Sequence, residues 1–305
     1  MATSGSTNFS VNCDEMIEAS LRFLGVLGTG ESPTSDMSTE ARQAMNMMLK
    51  LWVADGLNAF LRKRATLFLQ EDTNAYNLGP TGDHATTSYS STTLSAAEAS
   101  GQTVLSVTSI AGMTAADYIG VQQDDGTLHW STISSSGAGT VTIAVAITAA
   151  AASGNKVYWY TTKISRPIAI VQAFIRDGNI YYEVRPMEYG DYWHIYDKTT
   201  NTRPTRYNYD SQTTNGVFRI NYEPTDVTET MELVYHRPTE DLDAGANDLD
   251  IPVEYYEPIK VGLAARLAPE YGIKKPELWG MGEMLYQRAK GIHSDRPRRL
   301  VPVRF

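Results

Sequence analysis

The sequence predicts an α+β protein: a helical core with β-hairpins and a long C-terminal helix, an inserted all-β domain of sandwich or barrel type, and an extended C-terminal arm. Three observations predict it. Apolar residues recur at spacings of three and four near both ends of the chain, in 12–56 and 253–291. Over the 77 residues from His84 to Tyr160 only Glu98, Asp117, Asp124, Asp125 and Lys156 are charged, and the rest is largely Ser, Thr, Ala, Gly and β-branched residues in short alternating runs. The last residues, Val301-Pro302-Val303-Arg304-Phe305, alternate apolar with other side chains as an extended segment does.

In chain order, Asn12 with Glu15 three residues later has the form of a capping box, and Ile17, Leu21 and Leu24 follow at helical spacing. Gly28 is expected to stop this helix. A second helix opens at Asp36 or Ser38, with Ala41, Met45, Met48 and Trp52 on one face until Gly56 ends it. Met fills gaps between packed helices, so this stripe reads as helix-to-helix core rather than a ligand box. Short strands follow at Thr66–Gln70 and Ala75–Leu78, and Arg62-Lys63-Arg64 stands just ahead of the first. That triplet is either a solvated charge run or a contact for a phosphate or a partner.

At Gly79-Pro80-Thr81-Gly82 the composition changes. Alternating runs at Thr103–Val107, Tyr118–Gln122, Leu128–Ile133, Val141–Ile147 and Val157–Tyr160, separated by Asp125-Gly126 and Gly137-Ala138-Gly139, predict the inserted β-domain. The host chain resumes near Lys163. Asp177-Gly178 supplies the positive φ of a tight hairpin between Ala169–Arg176 and Ile180–Arg185, and a second two-strand pattern spans Val217–Tyr222 and Thr230–His236. Between them Tyr189, Tyr192, Trp193, Tyr196, Tyr207 and Tyr209 form an aromatic cluster. Asp191, Asp197 and Asp210 among these rings would repel phosphate, so a protein interface or a half-buried sheet edge is the simpler expectation, with Tyr189, Tyr192, Trp193 and Tyr207 as candidate contacts.

Asp241, Asp243, Asn247, Asp248 and Asp250 form an acidic loop, but Ala246 and Pro252 stand where a calcium-binding loop counted from Asp241 requires glycine and glutamate. Beyond it Tyr255, Ile259, Leu263 and Leu267 recur every four residues, with Pro258 expected in or near the first turn. Pro276 opens the last helix, with Leu278, Met281 and Leu285 expected inward and Gly291 as terminator.

Charge narrows the function classes. Residues 288–305 carry six basic side chains against Asp295, a net +5, so the rest of the chain sums to −14 within the overall −9. An acidic body argues against a nucleic-acid coat, which spreads Lys and Arg over its contact face. One cysteine, Cys13, excludes an intrachain disulfide, and no Cys/His spacing suits zinc. No basic residue lies between Met1 and Arg22, and the longest weakly polar run, Val141 to Ala152, is too short for a bilayer span, so a cytosolic chain without a membrane anchor is expected.

Catalytic patterns are missing too. Position 33 is proline where a dinucleotide fingerprint beginning at Gly28 needs its third glycine, and there is neither a phosphate-binding Walker loop nor a Gly-x-Ser-x-Gly elbow. The histidines His84, His129, His194, His236 and His293 are scattered. Glu254 and Glu257 could share a helix face as an acid/base pair, but they serve equally to complement the helix dipole. No enzyme activity and no cofactor are expected. The tail is the most suggestive motif: Arg296, Arg298 and Arg299 precede the alternating Val301, Val303 and Phe305, and Pro302 suits an edge or groove.

Taken in order, Leu49-x-x-Trp52-x-x-x-Gly56-Leu57, Thr66-Leu67-Phe68-Leu69, Ala75-Tyr76-Asn77-Leu78-Gly79-Pro80-Thr81-Gly82-Asp83-His84, Arg203-Pro204-x-x-Tyr207 and Ile251-Pro252-x-Glu254-Tyr255 through Leu263-Ala264-x-x-Leu267-Ala268-Pro269-Glu270-Tyr271-Gly272 form a recognisable series. The series resembles the head-to-tail adaptor proteins of short-tailed bacteriophages, also called tail accessory or DNA-stabilisation factors. The resemblance covers most of 12–83 and 163–290, and the 84–160 segment looks like the β-insertion of larger members. It implies an adaptor core at 1–83 and 163–290, an inserted domain at 84–162 and a docking arm at 291–305.

It further implies a ring, typically of twelve copies, at the head–tail junction of a virion assembled in the host cytoplasm. The ring would dock beneath the portal protein, extend the DNA channel, help retain the genome and offer a platform to tail nozzle or fibre proteins. Arg296, Arg298, Arg299, Val301, Val303 and Phe305 then fall to the portal or an adjacent subunit. Double-stranded DNA would pass without sequence recognition, which suits an acidic wall. A carbohydrate- or receptor-binding tail module using the inserted β-domain is the alternative.

Overall fold

The computed structural model describes residues 4–57, 59–225 and 227–292. The chain is mixed α+β and divides into two compact units, Met1–Leu61 with Pro238–Phe305, and Arg62–Arg237. The described elements are α1 (Cys13–Leu24), α2 (Ser35–Ala54), β1 (Arg62–Phe68), β2 (Ala75–Leu78), β3 (Ala85–Thr86), β4 (Ser90–Thr93), β5 (Val104–Ser106), β6 (Tyr118–Gln122), β7 (Leu128–Gly137), β8 (Thr140–Ile143), β9 (Lys156–Tyr160), β10 (Ala169–Asp177), β11 (Ile180–Pro186), α3 (Tyr189–Trp193), β12 (Arg206–Asp210), β13 (Gly216–Ile220), β14 (Thr230–His236), α4 (Tyr256–Leu267) and α5 (Glu277–Ile292).

In the helical unit α1 begins with the expected box: Asn12 Oδ1 accepts from the Glu15 amide at 2.9 Å and Glu15 Oε2 from the Asn12 amide at 3.0 Å. Two further orphan amides are met by the acidic loop, because Cys13 N–H donates to Asn247 O (2.9 Å) and Asp14 N–H to Gly245 O (3.0 Å). A Cβ at 245 would stand 2.0 Å from the Asp14 carboxylate, so a larger residue there would have to displace that side chain. The loop is thus a cap for α1. The helix ends at Gly25 rather than Gly28, because Gly25 follows the last buried residue, Leu24, and takes the left-handed conformation at φ 91°. The Thr34 side chain caps α2, so it opens at Ser35, ahead of Asp36.

The 3-10 turn Val253–Tyr255 leads into α4, whose third residue is Pro258, where a missing N–H breaks no helical bond. Tyr255, Ile259, Leu263 and Leu267 are all fully buried, as their spacing predicts. In α5 the inward line differs from expectation: Leu278, Tyr286 and Ala289 are buried, Leu285 is only half-buried and Met281 is exposed. Gly282 explains the shift, since a Cβ there would lie 3.4 Å from Gly262 Cα and the two helix backbones close over that pair. The helix also continues through Gly291 to Ile292.

The sheet unit holds an eight-stranded sheet, β2-β13-β12-β11-β10-β14-β1-β3, antiparallel except for the β11–β12 pair. Its first and last strands are neighbours, with Arg62 opposite His236 and Phe68 opposite Thr230. Arg62, Lys63 and Arg64 are therefore part of β1 instead of preceding it. Strands β4 to β9 form a six-stranded antiparallel sheet, β4-β9-β6-β7-β8-β5, around Leu105, Ile119, Val121, Val141 and Val157. Its β7 runs on to Gly137 and turns into β8 through Ala138 and Gly139, both at positive φ. Residues 84–160 contain two strands, β3 and β4, that alternation missed because β3 is two residues long and β4 is Ser-Ser-Thr-Thr. Phe68 joins the sheets, packing among Leu128, Tyr158, Tyr160 and Val227.

Candidate interaction surfaces

In the helical unit, the Trp52 indole stacks on Tyr286 with centroids 4.6 Å apart, and burial pushes the Tyr286 phenol up to about 12. Beside this pair lies a groove lined by Leu51, Trp279 and Gly282 and by the charged Asp55, Arg266 and Glu283. Trp279 is 54% exposed, and Leu51, Met47 and Met284 also stand out from the core. These residues lie off the inward stripe of α2 and α5, and that displacement was their signal in the sequence. Trp52 itself is core, whereas the Trp279 ring is exposed.

On the sheet unit, strand alternation sends Ala65, Leu67, Leu233, Ala173, Ile175 and Val184 to the core, so Arg64, Glu232, Phe174, Tyr181 and their neighbours lie on the opposite face. Of the basic triplet, Arg62 and Arg64 belong to that face and Lys63 to the other, although all three are exposed. Arg64, Gln172, Phe174, Tyr181, Glu232 and Val234 line one open depression. Only Arg64 among them was singled out from sequence. The remainder come from strands distant in the chain, and for all but Val234 the signal was polar or aromatic character at the out-facing positions of β10, β11 and β14.

The aromatic cluster separates on folding. Tyr192 and Tyr207 are buried, Tyr207 against Phe218 with ring centroids 5.2 Å apart, so neither offers a contact surface. Tyr189 and Trp193 remain exposed, Trp193 at 55%, above the Arg219 guanidinium, which lies 5.7 and 5.8 Å from their centroids. Rings of the inserted segment turn inward: Tyr158, Trp159 and Tyr160 are buried.

At the junction of the two sheets His84 stacks on Trp130, centroids 3.8 Å apart and planes 4° from parallel, and its Nδ1 shares a 2.7 Å hydrogen bond with the Tyr160 hydroxyl. Burial, helped by the Lys163 charge, pushes its pKa down to about 3, which leaves a neutral imidazole at physiological pH.

Glu254 and Glu257 are both exposed, and Glu257 accepts from Lys260 Nζ at 2.7 Å. Arg296, Arg298, Arg299, Val301, Val303 and Phe305 lie outside the described residues. Among the described residues no group of His, Cys, Asp and Glu is arranged to hold a metal ion, and no helix is long and apolar enough to cross a membrane. No protein-family profile matches the chain, and no curated protein matches it.

Proposed function

We propose that this protein is a structural ring adaptor between the portal and the tail of a short-tailed phage. One observation carries the reading: the helical unit leaves Met47, Leu51, Trp279 and Met284 exposed on α2 and α5, large apolar side chains that a protein partner would cover. The charge distribution supports it. The helical unit outside residues 288–305 carries −10 and the sheet unit −4, which with the +5 of 288–305 make the chain's −9. A DNA conduit of that sign would let the genome slide rather than grip it.

In this arrangement 1–83 and 163–290 form the adaptor core, 84–162 the inserted domain of sandwich or barrel type, and 291–305 the arm that docks on the portal or an adjacent copy. An arm burying a few hundred Å² of apolar surface contributes only several kcal/mol at about 25 cal/mol per Å², before ordering costs. Repeated around a ring, such contacts add as avidity. Exposed Tyr189 and Trp193 are left as the tail-facing contacts. The inward turn of the rings in 84–160 favours this reading over a carbohydrate-binding module.

The test is electron microscopy of the full chain mixed with portal rings, beside a chain truncated after Gly291. The full chain is expected to add a ring beneath the portal, and the truncated chain to fold yet fail to co-assemble. A full chain that stays monomeric beside the portal overturns the adaptor reading; unchanged assembly after truncation overturns the docking arm.

A further inference from the structure

The outer face of the sheet unit carries an arginine-bordered apolar floor. Val234, Phe174 and Tyr181 lie on it, and Arg64, Arg176 and Arg185 surround them; Arg185 shares their face because it follows Val184, whose side chain is core. Glu232, buried among them, accepts a hydrogen bond from Thr66 Oγ1 at 2.9 Å and stands 3.7 Å from Arg64 and 3.9 Å from Arg176. At those separations the carboxylate attracts both guanidiniums without taking up their N–H donors. Arg64 and Arg185 are 66% and 77% exposed, and Arg185 Nε lies 3.6 Å from the Glu183 carboxylate, itself exposed on the same face. The face carries three arginines around an apolar contact, with the carboxylates of Glu183 and Glu232 among them.

The same chain carries a surface of the opposite kind. On α2, Met47 is 64% exposed and shares a shallow depression with Glu40 and Glu270. On the adjoining loop, Asp241 pairs with Lys50 at 2.8 Å and the Asp243 carbonyl accepts from Arg42 at 2.9 Å, which holds two more exposed acids beside α2. Methionine is flexible and polarizable, and suits a contact with aromatic rings. An apolar knob bordered by carboxylates thus complements an apolar floor bordered by guanidiniums.

We propose that the Met47 surface of one copy docks on the Arg64–Arg185 face of a second copy. The two faces differ, so the contact is head-to-tail and propagates from copy to copy until rotation closes it into a ring. The proposal rests on the ring reading above and names the interface that would build the ring. The occupant is a second copy because this chain itself carries both complementary borders, Glu40, Glu270, Asp241 and Asp243 on the one face and Arg64, Arg176 and Arg185 on the other.

Charge reversal tests it in the full chain, with assembly read by sedimentation velocity alone and with portal rings. Arg64→Glu with Arg185→Glu, and separately Glu40→Arg with Glu270→Arg, are each expected to weaken self-assembly by more than about tenfold. All four side chains are exposed, and circular dichroism checks that the variants fold. In an equal mixture of the two variants every contact of an alternating ring pairs opposite charges, so assembly is expected to return. The neutral pair Arg64→Gln with Arg185→Gln removes attraction without repulsion and is expected to give an intermediate loss. If both reversed variants assemble like the wild type, or if the mixture fails to recover, the proposed interface is wrong while the ring stands. Absence of any wild-type assembly overturns both.

Discussion

At His84 the imidazole lies flat on the Trp130 indole and bonds Tyr160, in a position where nothing adjacent in sequence demands a histidine. Its pKa falls from 6.5 to about 3 because burial penalises the cation. Between those two values the unfolded chain binds a proton that the folded chain does not. Stability contributed by the neutral ring is therefore complete above pH 6.5, and is lost as pH falls through that window toward 3. Replacing His84 with Phe keeps a ring over Trp130 but removes the titration. Urea midpoints measured from pH 7 to pH 4 are expected to fall less steeply in His84→Phe than in the wild type; parallel slopes would show that the imidazole is protonated in the folded chain.

At the scale of elements, the α4–α5 contact depends on Gly262 and Gly282. A methyl group at 282 would meet Gly262 Cα at 3.4 Å and Val261 Cγ1 at 3.8 Å, ordinary contacts that leave any atom beyond it facing α4. Gly282→Ala is accordingly expected to be nearly neutral or slightly stabilising, because alanine favours the helix by up to about 1 kcal/mol. Gly282→Leu is expected to cost about 1–3 kcal/mol through overpacking, measured by denaturant unfolding. Equal stability of the two variants would mean that the backbones do not close at this point.

How much of each element was legible in the sequence follows from how local its causes are. The box at Asn12 and Glu15 was legible because donor and acceptor sit three residues apart, and the core face of α4 because four apolar residues repeat every four. Gly25 and Gly28 could each end α1, and the position of the last buried leucine decides between them. The strand character of Arg62, Lys63 and Arg64 was illegible, since charged residues enter a strand here only because Val234, Tyr235 and His236 lie opposite them. The Arg64–Glu232–Phe174 face was hidden for the same reason: its members come from three strands brought together by long-range pairing.

For the whole molecule, the division at Leu61/Arg62 and Arg237/Pro238 places the sheet unit in one continuous stretch and splits the helical unit between the two ends of the chain. Because Arg62 pairs with His236, the sheet unit opens and closes on adjacent strands and needs no residue from outside to complete its order. A fragment spanning 62–237 is expected to fold alone, with a single cooperative denaturant transition and the near-ultraviolet signal of packed tryptophans. A featureless, non-cooperative fragment would show that the helical unit is required to hold the sheet.

The pairing of Arg62 with His236 also sets a schedule during synthesis. Helices α1 and α2 leave the ribosome ahead of the sheet unit, bearing Ile17, Leu21, Met45 and Met48, yet the α4 residues that cover them follow only after the 62–237 stretch. At roughly 5–20 residues per second, that interval lasts about 10–35 s. During it the sheet unit can close on itself while two sticky helices wait. Chaperones would meet this chain mainly at α1 and α2, and substitutions that weaken α4 would surface as aggregation during translation before they appeared as a lowered melting point.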